Sequence, residues 1–393
     1  MKILFVAMAN SIHTARWLAQ ISDQGWDIHL FPSIDAVSIH PDLRNITVYE
    51  TFYSNQVHHH KSVKTKGFNL YSLTSVNFIK NVWARVFPDY RAEKLAHLIK
   101  NIRPDLIHSL GIQNAGYLTI EAKEKLKGDF PPWVVSNWGS DIYLFGRLEN
   151  HKNQIRNVLR NSDYYSCECI RDLKLAKDFG FTGKVLSVIP NTGGFDFNLL
   201  YSLRQGGKIS SRRLIMLKGY QGIFGRSLVG LRALKRCAEL LRGYEIMIYS
   251  APREVEIAAE IFSKSTGIPV NIIPQGTKHS DILRLHGRAR ISIGLSISDA
   301  ISTSFLEAIV MGSFPIQSNT SSCDEWIEDG KTGFIVPPED PAIIEQAIRV
   351  AIQNDDLVNK AAEINYYLAR EKLDNQIIKP KVQEIYRTIC ADS

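Results

Sequence analysis

Short apolar runs alternate with helical patterns along this chain, break off near residue 200, and then begin again. Such an alternation needs strands buried on both faces with helices between them, which a parallel sheet covered by helices on either side provides. The first cycle is KILFVAM as a strand, then residues 11–24 with Ile12, Ala15, Leu18 and Ala19 at helical spacing. Gly25 stops that helix before the next strand, DIHLF. Further strands are read in ITVYE, DLIHSLG, WVVSNWG, YYSCE and VLSVIPN. The stretch NLLYSLRQGGKISSRR, with Gly206-Gly207 and little periodicity, reads as a linker. Beyond it RLIMLKGY, YEIMIYS, VNIIP, ISIGLS and FPIQS alternate with helical segments near 226–242, 253–265, 280–287 and 303–312, and helices follow near 340–353 and 356–370.

The expected fold class is therefore α/β, with two Rossmann-like doubly wound parallel-sheet domains facing a central cleft. The expected bounds are 1–200 for the first domain, 201–212 for the linker and 213–375 for the second. A terminal helix over 376–393 is expected to pack back on the first domain. In open sheets of this kind ligands sit outside the C-terminal ends of the strands, so the chemistry belongs in those loops.

A length of 393 residues suits two domains, and 45% hydrophobic with 22% charged residues is an ordinary globular balance with no run fit to span a bilayer. The opening MKILFVAMANS breaks into Asn10 and Ser11 too soon for a signal peptide and reads as a buried strand. Five cysteines do not make a disulfide framework, and a reducing cytoplasm is expected, with peripheral contact at the inner membrane face. Cys167 and Cys169 read as one face of a strand rather than a metal site. The net charge of +7 favours anionic partners. Cations are densest from Lys61, Lys64 and Lys66 through Lys80 and Arg85 to Arg103, among aromatics such as Phe68, Tyr71, Phe78 and Trp83. Two readings stand for this segment: an amphipathic insertion touching acceptor or membrane, or aromatics packed inward with solvated lysines.

The sharpest motif is DAISTSFLEAIVMGSFPIQSNTSSCDEWIEDGKTGFIVPPED, residues 299–340. Ser302, Thr303 and Ser304 stand where a helix starts after a buried strand, and a helix N-terminus offers amide donors and a positive dipole end to a diphosphate. Asp299 and Glu307 bracket that turn, with carboxylates suited to paired hydroxyls of a sugar or ribose. A second motif, LKGYQGIFGRSL, sets Gly219, Gly222 and Gly225 beside Lys218 and Arg226. Fixed cations there would stabilise a departing nucleoside diphosphate without a metal. His58-His59-His60 lacks the spacing of a metal site, and no Asp-x-Asp is present.

In these features the chain resembles retaining glycosyltransferases of family 4 with the GT-B fold. Their ordered set is Glu-x7-Glu, Glu-Ala, a Gly-Pro region and Asp-Gly-x-x-Gly. Here Asp299-x7-Glu307, Glu307-Ala308, Gly312-Ser313-Phe314-Pro315 and Asp329-Gly330-Lys331-Thr332-Gly333 stand in that order. The resemblance implies that Asp299 meets the transferred sugar and Glu307 the ribose. Asp299, Arg226 and Lys218 are the implied catalytic set. Ser302, Thr303, Ser304, Phe305, Leu306, Gly219 and Gly225 join Glu307 around the donor. Asp299 in place of Glu is one methylene shorter.

On the acceptor side the resemblance selects Asn10 and His13 in the first loop, and Trp138 and Asp141 in Trp138-Gly139-Ser140-Asp141. Relatives carry His where this chain has Trp138. Trp138 packs in the cleft or against a sugar face, and Asp141 binds the acceptor or caps a helix. The implied function is transfer of a sugar from a nucleotide-sugar donor to a glycan or lipid-linked acceptor in surface-polysaccharide synthesis. No cofactor, no metal and no nucleic acid are expected. An epimerase or hydrolase on the same fold, or an anion-binding or membrane-binding protein without catalysis, is the alternative.

Overall fold

The computed structural model describes residues 1–391 apart from 36, 37, 55 and 127. It divides into two compact units, Met1–Gly193 with Ile378–Ser393, and Gly194–Ile377.

The first unit holds eight strands: β1 (Lys2–Ala7), β2 (Asp27–Pro32), β3 (Thr47–Tyr53), β4 (Lys64–Asn69), β5 (Leu106–Leu110), β6 (Trp133–Ser136), β7 (Tyr164–Ser166) and β8 (Lys184–Val185). Their order is β4-β3-β2-β1-β5-β6-β7-β8, and every pairing is parallel. β1 and β5 are buried along nearly their whole length, as continuous apolar runs between two helical layers should be. The chain order reverses between β1 and β5, which makes that the switch point of the sheet.

The second unit holds β9 (Leu214–Lys218), β10 (Glu245–Tyr249), β11 (Val270–Ile272), β12 (Ala289–Gly294), β13 (Phe314–Ser318) and β14 (Phe334–Val336). They lie in the order β11-β10-β9-β12-β13-β14, again all parallel, with the reversal between β9 and β12. Both sheets are doubly wound, as the alternation requires.

The stretch 201–212 belongs to the second unit rather than standing between units. Asp196 caps a helix over Phe197–Leu203 by accepting from the amides of Asn198 and Leu199, and the buried Arg212 donates to the carbonyls of Gln205 and Ala289. Local periodicity is weak there because the anchors are single polar contacts. The terminal helix spans Asn375–Ala391, and from Ile378 onward it belongs to the first unit. Its Tyr386 hydroxyl accepts from Trp17 Nε1 at 2.7 Å and lies 2.8 Å from Nδ1 of His108, while Ile378, Val382 and Ile389 join Ile3 and Phe5 in one apolar core. Full burial pushes His108 down to about 3, so the imidazole is neutral and serves as a hydrogen-bonded core group.

Two local readings are corrected. Cys167 and Cys169 follow β7 instead of lying on it: both are buried, and Cys169 precedes a helix over Ile170–Asp178. In the 51–103 segment the reading with aromatics packed inward is the one corrected, since Phe68, Tyr71, Phe78 and Trp83 are exposed. β4 is an unanticipated edge strand, and the following helix, Leu73–Val86, turns Lys80 inward. Lys80 is only 4% exposed, with Nζ 3.0 Å from both Asp35 and Glu50. Val82, Val86 and Phe87 are exposed as well. The buried Glu50 and the part-buried Asp35 beside one ammonium help Val76 to hold this helix against the sheet.

Candidate functional site

The site grows from the switch point of the second sheet. β9 ends at Lys218, and β12 runs into a loop that carries Asp299, half-buried, before a helix over Thr303–Met311. These two strand ends are neighbours, so residues far apart in sequence meet. Lys218 is largely buried and its Nζ donates to Ser302 Oγ at 3.0 Å; that oxygen lies 2.9 Å from Ser304 Oγ. Ser302 occupies the N-cap position but makes no side-chain cap bond. Its hydroxyl is engaged by Lys218 and Ser304, so the helix start keeps its dipole end uncapped beside a lysine, a setting that favours an anion.

Glu307 lies one turn in, and its side chain is only 6% exposed. The charge is met by His279, the first residue of a helix over His279–Arg288, whose Nε2 lies 2.6 Å from Oε1. On the same helix, burial pushes His286 down to about 4, and its Nδ1 lies 3.0 Å from Ser292 Oγ. Tyr249, at the end of β10, stands edge-on to His286 with ring centroids 5.6 Å apart. Its phenol is held well above the ordinary range by burial and is hydrogen-bonded to Ser304. One polar line thus runs from Lys218 through Ser302 and Ser304 to Tyr249. A pocket of about 480 Å³ opens beside it, walled by Tyr220, Phe224, Tyr249, Pro252, Ile273 and Thr277 at the ends of β9, β10 and β11.

The glycines act by closeness of backbones. A Cβ on Gly219 would lie 2.8 Å from Ala251 Cα and Tyr249 O, and one on Gly225 would lie 2.6 Å from Tyr220 O. Gly222, at φ +73°, makes the turn between them. Arg226 has partners of its own. Its Nε donates to Glu339 at 2.6 Å and its Nη1 to the carbonyls of Gly222 and Gly225, so it braces the turn. Phe305 and Leu306 point into the core, which leaves only their backbone toward the helix start. Thr303 and Ser304 are half-buried there. In the distal motif Gly330, at φ +76°, donates to the Gly333 carbonyl at 2.9 Å, and Asp329 accepts from Ile335 N. That motif is a turn that launches β14.

The first unit brings together His13 and Trp138, whose rings are 5.7 Å apart, while Asn10 is exposed in the turn after β1. Asp141 does a structural job: one carboxylate oxygen accepts from Ile112 N at 3.1 Å and Trp138 N at 2.9 Å, tying the loops after β5 and β6. Desolvation raises it to about 6 against the pull of those two amides.

Sequence reading missed His279, Tyr249 and the pocket. No local signal could have found them, because their relation to Glu307 and Ser304 exists only through space. Among the described residues no cluster of three or more His, Cys, Asp or Glu side chains is arranged to hold a metal, and no helix is long and apolar enough to cross a membrane.

Comparison with known proteins agrees with the fold. Residues 2–168 match the family model described as glycosyl transferase 4-like, and residues 259–368 match glycosyl transferases group 1. No curated protein matches the chain. Among solved structures, sucrose-phosphate synthase from Thermosynechococcus elongatus aligns over 100% of both chains at 12% identity with a TM-score of 0.72. Anabaena HepE in complex with UDP and glucose aligns over 99% of this chain and 100% of its own, at 14% identity and a TM-score of 0.67. The E. coli trehalose-6-phosphate structure bound with UDP-2-fluoro glucose aligns over 99% of each at 11% identity and a TM-score of 0.68. With a glycosyltransferase family model matched in each half of the chain and the doubly wound units the fold requires, the chain is a glycosyltransferase of the family 4 type with the GT-B fold.

Proposed function

We propose that the chain transfers a sugar, with retention of anomeric configuration, from a nucleotide-sugar to a hydroxyl of a glycan or lipid-linked acceptor. The observation that carries this is the uncapped start of the 303–311 helix, with Lys218 on one side and the buried Glu307 one turn in. The diphosphate takes the helix start and Lys218, the ribose hydroxyls take Glu307, and Asp299 on the incoming loop takes the sugar. The base enters the adjoining pocket, whose aromatic and proline walls suit a flat ring. The UDP named for the HepE and E. coli structures supports this class of donor.

In the reaction the acceptor oxygen bonds to the anomeric carbon as the bond from that carbon to the phosphate oxygen breaks. The acceptor proton passes to the departing phosphate on the same face. Lys218 and the helix amides stabilise the charge that develops there, which is electrostatic stabilisation without a metal. The expected outcome in a mixture of donor and glycan acceptor is nucleoside diphosphate release that depends on acceptor, with product anomers read by NMR. Steady isomerisation or hydrolysis of donor without acceptor would overturn the transferase reading, and an inverted anomer would overturn retention.

The work place we propose is the cytoplasmic membrane face, in surface-polysaccharide assembly. On the Leu73–Val86 helix the exposed Phe78, Val82 and Val86 recur every fourth residue, which sets them in one outward stripe. Arg85 on the same helix, and Lys61, Lys64 and Lys66 on and before β4, are exposed. Apolar side chains ringed by cations fit an anionic lipid surface. Flotation with phosphatidylcholine vesicles, with and without phosphatidylglycerol, checks this: binding to the anionic vesicles is expected. Failure to float with either would overturn it, and a dimer broken by Phe78→Ser without vesicle binding would assign the stripe to a second copy.

A further inference from the structure

We infer that His279 is a positioning residue for the donor: it fixes the Glu307 carboxylate and thereby sets the preference for a ribose that bears both hydroxyls. This rests on the placement of ribose at Glu307 proposed above. The two side chains are unequally buried, 6% exposed for Glu307 and 46% for His279. The imidazole is thus the more open member of a pair whose carboxylate is buried. A 2.6 Å approach of Nε2 to a single oxygen, Oε1, fixes the plane of the carboxyl group as well as its position.

The chain that carries His279 also builds the pocket. Thr277 and Ile282, which flank His279 in the chain, line it, while His279 itself contacts Glu307. A ribose whose base lies in that pocket and whose hydroxyls reach Glu307 must pass this residue. The neighbouring His286 does not substitute, because it is fully buried, its Nδ1 is committed to Ser292, and burial holds it neutral. Tyr249 is engaged with Ser304. Of these three side chains His279 is the one in direct contact with the Glu307 carboxylate, and at 46% exposure it is also open to a ligand.

The test is calorimetry with UDP, GDP and ADP and their 2′,3′-dideoxy counterparts, on the parent, His279→Ala, His279→Gln and Glu307→Gln. The parent is expected to favour the ribonucleotide about tenfold or more, as two hydrogen bonds to a charged group imply. His279→Ala should weaken the ribonucleotide about tenfold and leave the dideoxy form within about twofold. His279→Gln, which keeps a donor at similar reach, should restore most of the preference. In turnover, His279→Ala should raise the donor KM and leave kcat nearly unchanged. Retention of the parent's ribo-to-dideoxy ratio in His279→Ala, with the ratio lost in Glu307→Gln, would overturn the role of His279 alone. A parent that binds both nucleotide forms equally would overturn the ribose placement and this inference with it.

Discussion

The loops after β12 and after β6 occupy equivalent places in two sheets of the same design, yet they treat their polar groups in opposite ways. After β12 a lysine, two hydroxyls and a buried glutamate gather around a helix start that its N-cap residue, Ser302, does not cap through its side chain. After β6 the acidic residue turns inward and accepts from the backbone of two loops. A carboxylate engaged with its own backbone fixes loop shape, and what reaches solvent beside it is Trp138 against His13. The second unit thus carries the polar cluster we propose for a charged ligand, whereas after β6 the carboxylate is committed to its own backbone.

Four changes would break or sharpen this contrast. The largest effect is expected from Lys218→Ala, which removes the fixed cation from the helix start; kcat should fall about 10²–10³-fold with the fold intact. Steady-state rates together with circular dichroism check it, and a loss under tenfold would remove Lys218 from the chemistry. Next comes Asp141→Ala, which leaves two buried amides without an acceptor and should cost about 2–3 kcal/mol of stability in denaturant unfolding.

The same residue carries a pH signature. Its folded pKa of about 6 lies above the ordinary carboxylate value, so its contribution is fully present below about pH 4 and is lost as pH rises through 6. Melting temperature measured from pH 4 to 7 should fall for the parent relative to Asp141→Asn, and a constant difference would show that the group is not desolvated.

Arg226→Ala should matter less, about 1 kcal/mol or under, because its partner Glu339 is exposed and the pair only braces a turn. Activity should stay within about threefold of the parent; a loss equal to that of Lys218→Ala would place both cations on the phosphate. The smallest effect on the fold is expected from Phe78→Ser on the outward stripe, within about 0.5 kcal/mol, while flotation with anionic vesicles should drop clearly.

Much of this was legible along the chain. The restart of the strand and helix alternation implied two doubly wound sheets, and the run from Asp299 to Gly333 marked the loop that carries the donor motif. What stayed hidden falls into two kinds. Lys80 reads as one more surface cation because its partners Asp35 and Glu50 lie 45 and 30 residues back on other elements. Arg226 and Lys218 look alike as cations beside glycines, and only the fold sends one to Glu339 and the other to Ser302.

By itself, then, the sequence determined the periodicities, the breaks between them and the order of the motif residues, since these depend on neighbours within a few turns of chain. The tertiary structure decided which charges meet. Lys218 reaches Ser302 across 84 positions and His279 reaches Glu307 across 28, because parallel strands joined by helices bring their C-terminal ends side by side whatever the length of chain between them.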